Sequence, residues 1–147
     1  MRDGYNLRYV PKEIKTSKMC LIAAKKSSAL IIDYIPKHLR TSEICIAIVK
    51  NNFKLCAIPQ KFRTSKVCFI AVRNRGDNLE DVPEELKTPE MCLIAVKKYV
   101  SWGRNLQYVP ENLKTLKVCL AAYENDPDGA RNFIPKELIN EVLKAKK

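Results

Sequence analysis

The sequence is poor in the residues that most enzymes and metal sites need. Its 147 residues include one histidine (His38), one tryptophan (Trp102) and four glycines. Cys-x-x-Cys, Gly-x-x-x-x-Gly-Lys, Gly-x-Gly-x-x-Gly and His-Glu-x-x-His are all missing. That removes the usual spacings for zinc, phosphate-loop and dinucleotide chemistry. Long apolar runs are missing too: Met19 to Ala24 falls far short of the roughly 20 residues of a membrane span. The opening Met1-Arg2-Asp3-Gly4 has no apolar stretch of the kind a secretory signal needs, so export is not expected. Acids are scarce in one half only. Residues 1–75 hold 16 Lys/Arg against 4 Asp/Glu, net +12, whereas residues 76–147 hold 11 against 12, net −1. With 46% hydrophobic and 29% charged residues, the chain has enough apolar surface to fold as one domain of ordinary size.

What is present is a repeat. Prolines fall at Pro11, Pro36, Pro59, Pro83, Pro110 and Pro135, spaced by 25, 23, 24, 27 and 25 residues. Five positions after each of the first five stands a threonine: Thr16, Thr41, Thr64, Thr88 and Thr115. Four positions further stands a cysteine: Cys20, Cys45, Cys68, Cys92 and Cys119. The residue before each proline is apolar, from Val10 to Ile134, and so is the residue three after it, from Ile14 to Leu138. Copies start near residues 7, 32, 55, 79 and 106, and a sixth, at 131–147, loses the Thr and Cys and reads as a polar cap.

Each copy predicts two helical elements. The Thr is a helix N-cap, supported by Thr88-Pro89-Glu90, with Pro at the first helical position and an acid in the first turn. Met91, Cys92, Ala95 and Val96 then follow helical spacing. This helix is expected to run about ten to twelve residues, or ~15–18 Å. The second element has a proline in its middle, which cannot donate to a continuous ladder. A kinked helix or two successive turns is expected, with Pro opening the second. One such pair cannot bury its apolar stripe, but stacked copies can. The fold class is therefore all-α: a single domain over 1–147 built as an α-solenoid, right-handed by analogy, or a compact helical-repeat domain with a C-terminal capping helix.

Five cysteines share one register position on successive helices, expected about 8–10 Å apart, too far for disulfides. They read as small buried hydrophobes, and Cys56, out of register, as the exposed thiol. Six reduced thiols predict a reducing compartment, the cytoplasm. No metal or cofactor is expected. His38 stands where other copies carry Glu, Lys or Asn and reads as solvent-facing. Glu84-Glu85 suits a helix start, and Asp126-Pro127-Asp128-Gly129 a turn. No nucleophile–base arrangement is apparent, so the chain is read as non-enzymatic.

The basic half supplies the binding candidates. Position Pro+4 is Lys15, Arg40 and Arg63, then Lys87 and Lys114; position Cys+5 is Lys25, Lys50 and Arg73, then Lys97 and Glu124. Lys26 adjoins the second ladder. Helix dipoles alone account for a cation near a helix C-terminus, at roughly 0.3–1 kcal/mol, but not for the scarcity of acids before residue 76. Tyr9 and Tyr34, at Pro−2, either pack between repeats or stack on bases, a contact worth roughly 1–3 kcal/mol. The longest copy inserts residues around Trp102, which either anchors a partner or folds back on the domain.

The pattern Leu-x-Tyr-Val-Pro-x-x-Leu-[Lys/Arg]-Thr-x-x-x-Cys-x-x-Ala resembles a bacterial and viral family of short α-helical repeats, about 24 residues each, of unknown function. Ala71-Val72 and Ala95-Val96 match that family's Ala-Val pair. The likeness covers residues 7–138, though regular Pro and Cys depart from the usual unit. Leucine-rich-variant repeats are a weaker likeness. The resemblance implies a binding scaffold with no catalytic residues, in some members carried on mobile elements. With the charge asymmetry, the expected function is binding of an acidic protein or a nucleic-acid-handling complex through the basic N-terminal repeats, for example as an inhibitor competing where nucleic acid binds. The alternative is direct RNA or DNA binding.

Overall fold

The computed structural model describes residues 3–27, 30–98 and 104–145, and every regular element among them is helical. Contacts divide the chain into two compact units, Met1–Asn74 and Arg75–Lys147. The division falls at the charge boundary. The first unit carries 15 Lys/Arg and 4 Asp/Glu, the second 12 of each.

In the first unit, α1 (Ser17–Lys26), α2 (Ser42–Lys50) and α3 (Ser65–Asn74) pack in succession, α1 on α2 and α2 on α3. Each is entered through its threonine. The hydroxyls of Thr16, Thr41 and Thr64 accept from the backbone N–H groups of Met19, Ile44 and Val67 at 3.3, 3.3 and 3.5 Å. The second unit repeats the device in α4 (Pro89–Lys97) and α5 (Leu116–Asn125), at Thr88 and Thr115. The helices have nine or ten residues, slightly fewer than the spacing predicts.

Each proline-centred element is two short 3-10 helices, as in Ile32–Tyr34 followed by Lys37–Leu39. The reason is local. Proline fixes its φ (−51° at Pro36, −55° at Pro59) and sits extended as the N-cap of the second turn. The residue before it is held in the β region, as at Ile35 and Ile58. Only three residues then remain before the chain must extend again to reach the Thr cap. That is room for i→i+3 bonds: Leu39, Phe62, Leu86 and Leu113 each donate to the carbonyl of their proline at 2.9 Å. In the sixth copy neither Thr nor a restart follows. Pro135 instead opens a full α-helix, α7 (Lys136–Lys144), which packs on α5, as does the short α6 (Pro127–Arg131).

The core follows from these geometries. Residues three apart eclipse on a 3-10 helix, so Pro−4 and Pro−1 share an inward face. Leu7, Leu55, Leu79 and Leu106 are fully buried, as are Ile35 and Ile58. Pro+3 is different: Leu39, Phe62, Leu86 and Leu113 are only half-buried, and Ile14 is 61% exposed. The five register cysteines are fully buried beside Ala23, Ala71 and Ala95. None of the six cysteines is in a disulfide, and Cys56 is exposed.

Burial pushes the thiols of Cys45, Cys68 and Cys92 up to about 11, from an ordinary 9.0. In native protein at pH 8, one thiol, Cys56, is therefore expected to react rapidly with a disulfide reagent, against six after denaturation. The raised values favour the neutral form in the fold. Their stabilisation is complete below pH 9.0 and is lost as pH rises from there through about 11. A urea midpoint that stays flat across that window, after correction for lysine and tyrosine titration, would contradict this linkage.

A polar ladder, invisible in the hydrophobic pattern, aligns the helices. Asn51, Asn74 and Asn125 stand six residues after the register cysteine. Their amides donate backwards to the last carbonyls of the preceding helix: Asn51 to Ala24 (2.8 Å) and Ser27 (3.1 Å), Asn74 to Val49 and Lys50 (both 2.8 Å), Asn125 to Val96 (3.1 Å). Each reaches carbonyls at a helix end, where donors within the helix run out. Asn74→Ala is expected to cost about 1–2 kcal/mol, two hydrogen bonds' worth, read as a lower urea midpoint with unchanged slope.

Candidate interaction surface

The two cation ladders part company in the structure. Pro+4 is the junction between the 3-10 turn and the α-helix, where the chain's departure from helical geometry leaves carbonyls open. Lys15 is buried, its Nζ donating to the Tyr34 carbonyl of the next copy at 2.7 Å. Lys87 does the same to Tyr108 at 2.9 Å. The longer, planar guanidinium turns back on its own copy: Arg40 Nε donates to Ile35 (3.0 Å) and Arg63 Nε to Ile58 (2.9 Å). Lys114 is buried against Glu111. Lys15, Arg40 and Arg63, expected at a binding surface, thus serve backbone carbonyls.

The Cys+5 ladder points outward. Lys25, Lys50 and Arg73 are exposed in the last turns of α1, α2 and α3, with Lys26 exposed beside Lys25. Lys25 lies 3.9 Å from Glu43, both well exposed. Such a pair contributes at most about 1 kcal/mol. Lys50 and Arg73 make no ion pair among the described residues. Lys25, Lys50, Glu43 and Ile46 line one shallow groove of about 400 Å³ between α1 and α2. The same groove recurs in the second unit, about 360 Å³, with Lys97, Lys117, Leu120 and Glu124 in the matching places.

The tyrosines belong to a separate cluster at the start of the chain. The Arg8 guanidinium lies 4.3 Å from the Tyr5 ring centre and 4.4 Å from that of Tyr9, whose hydroxyl it hydrogen-bonds. Tyr5 meets Tyr34 edge-on at 5.6 Å, their hydroxyls 3.3 Å apart. Tyr34's hydrogen bond, then Arg8, lower the Tyr5 hydroxyl, while Tyr5 raises that of Tyr34. Tyr34 is therefore an inter-copy packing residue, and Tyr9 keeps an open ring, 69% exposed. Sequence reading missed Tyr5, which precedes the first recognisable copy, and Arg8, which stands at Pro−3 where no other copy carries a cation. Trp102 lies outside the described residues.

In the second unit a cleft of about 600 Å³ is lined by Arg104, Gln107, Asp126, Asp128, Asn132 and Phe133. Asp126 caps α6, accepting from Gly129 N–H at 3.0 Å, so the segment expected as a turn is the start of a short helix. Among the described residues no group of three or more His, Cys, Asp or Glu side chains could hold a metal ion, and no helix is long and apolar enough to cross a membrane. His38 is exposed.

No curated protein and no solved structure matches the chain. One family model does: residues 64–114, about a third of the chain and slightly over two copies, are similar to a domain of unknown function (DUF4116).

Proposed function

We propose that this is a non-catalytic helical-repeat binding protein that engages an acidic protein, or an acidic face of a nucleic-acid-handling complex, through α1–α3. The copies are read as turns of an α-solenoid, and the buried reduced thiols suit the cytoplasm. The observation that carries the reading is the division of labour between the ladders. The Pro+4 cations are consumed by backbone carbonyls. Lys25, Lys50 and Arg73 stand exposed on successive helices of a unit with few acids. Inhibition is one form this takes, the basic unit's partner surface being one that otherwise holds nucleic acid.

Direct binding of single-stranded nucleic acid is the second reading, favoured by the open Tyr9 ring beside Arg8. Affinity capture from the native cell, with and without nuclease, separates the two. Recovery of one protein despite nuclease, lost with the Lys25→Glu, Lys50→Glu, Arg73→Glu chain, supports the first. Loss of all captured protein on nuclease treatment, with salt-sensitive binding of a purified single-stranded RNA, supports the second.

A further inference from the structure

We propose that the outer face of α1, α2 and α3 receives an extended acidic segment that offers one apolar and one acidic side chain every third residue. This rests on the acidic-partner reading and specifies the conformation and period of what binds.

The face carries two parallel rows. Leu21, Ile46 and Phe69 each follow the register cysteine and are half-buried, so each leaves apolar surface open. Lys25, Lys50 and Arg73 stand four residues further on, one helical turn away on the same side. The rows are in register across the helices. Asn51 and Asn74 tie the C-terminal end of each helix to the one before, and Lys25, Ile46 and Lys50 meet in one groove.

Packed helices lie about 8–10 Å apart, so each row repeats at that interval. A polyproline II chain shows the same face every three residues, about 9.3 Å at 3.1 Å per residue. A β-strand repeats every two residues, about 6.6 Å, and an α-helix every turn, 5.4 Å. Only the first is commensurate with the helices, at one triplet per copy. Charge completes the match: three cations in a unit of net +11 meet three carboxylates, while the apolar side chains cover Leu21, Ile46 and Phe69. A phosphate backbone would answer the cations but leave Leu21 and Ile46 uncovered. The second unit supplies an internal control. Leu93 and Leu120 continue the apolar position there, but the cation row runs from Lys97 to Glu124.

The full chain is titrated by fluorescence polarisation with three labelled twelve-residue peptides: four Leu-Asp-Pro triplets, the same with Asn for Asp, and a helix-forming Leu/Glu peptide of equal charge. Single-stranded RNA is the fourth ligand. The Leu-Asp-Pro peptide should bind about tenfold tighter than the other two peptides. It should lose about tenfold with Ile46→Ser, and again with the surface change Lys50→Gln; Leu120→Ser should leave it unchanged. Circular dichroism verifies folding. If the helical peptide binds equally or better, the extended-segment proposal is wrong while the acidic-partner reading stands. If no acidic peptide binds, with or without RNA binding, both are wrong.

Discussion

Gly76→Ala is expected to destabilise the second unit strongly. Gly76 begins the 3-10 helix Gly76–Asp81, which packs on α4. A Cβ there would sit 2.4 Å from the Ala95 carbonyl oxygen and 2.6 Å from the Asn105 Nδ2. Neither neighbour can retreat cheaply. The Ala95 carbonyl belongs to α4, and Asn105 donates to that same oxygen at 2.8 Å from a buried position. The Asn105 Oδ1 already has no partner among the described residues, so displacing its amide would leave both ends of the side chain unanswered. Overpacking and a lost buried hydrogen bond together amount to about 3 kcal/mol or more. That is a large share of the roughly 5–15 kcal/mol that holds a domain folded. The transition of this unit should drop by roughly 12 °C or more in calorimetry. Glu85→Ala, exposed on the next 3-10 helix, Glu84–Leu86, should stay within about 0.5 kcal/mol of the parent. An alanine variant melting within a few degrees of the parent would show that the close approach is not a constraint in solution. Gly4, seven residues before its proline as Gly76 is, makes the matching approach to Ala23.

The second large effect is on binding. Changing Lys25, Lys50 and Arg73 together to Glu should weaken partner binding about a hundredfold at low salt, or ~2.8 kcal/mol. Two charges about 4 Å apart in water interact by ~1 kcal/mol, so each reversal replaces an attraction by a repulsion of similar size, reduced by side-chain freedom. The loss should shrink as salt rises, since exposed charges are screened. Reversal of Lys97, Lys98 and Arg104, in the balanced unit, should cost less than about threefold. Equal losses from the two triple variants would remove the binding site from α1–α3. All six side chains are exposed, but the reversals at Lys25, Lys50, Arg73 and Lys97 each remove a cation from a last helical turn, at roughly 0.3–1 kcal/mol apiece. Melting is therefore measured on both variants, and binding is compared at a temperature where both are folded.

Much of this architecture can be read directly from the chain because its signals are local. Pro at fixed intervals, Thr five residues on and Cys four beyond that encode the turn pair, the cap and the buried face, and none of them needs a distant partner to act. The exposure of Cys56 follows from its being out of register. The fate of the Pro+4 cations was not legible. Lys15 looks like Lys25 until the 3-10 turn is built and the carbonyl of Tyr34 is seen without a helical donor. Nor does composition distinguish Lys15 and Lys87, which bridge copies, from Arg40 and Arg63, which fold back. The asparagine ladder was in plain view at Cys+6, but Lys26 and Lys98 occupy that position in two copies and obscure it. Its meaning also depends on which helix lies next to which.

That ladder bears on how such a gene can change length. Asn74 grips the end of α2 as Asn51 grips the end of α1, so donor and acceptor are interchangeable from copy to copy. An in-frame recombination event that excised the second copy would bring Asn74 opposite the carbonyls Asn51 now holds. A shortened or lengthened chain would thus inherit matched joints, and the number of copies could drift by whole modules without a new contact having to evolve.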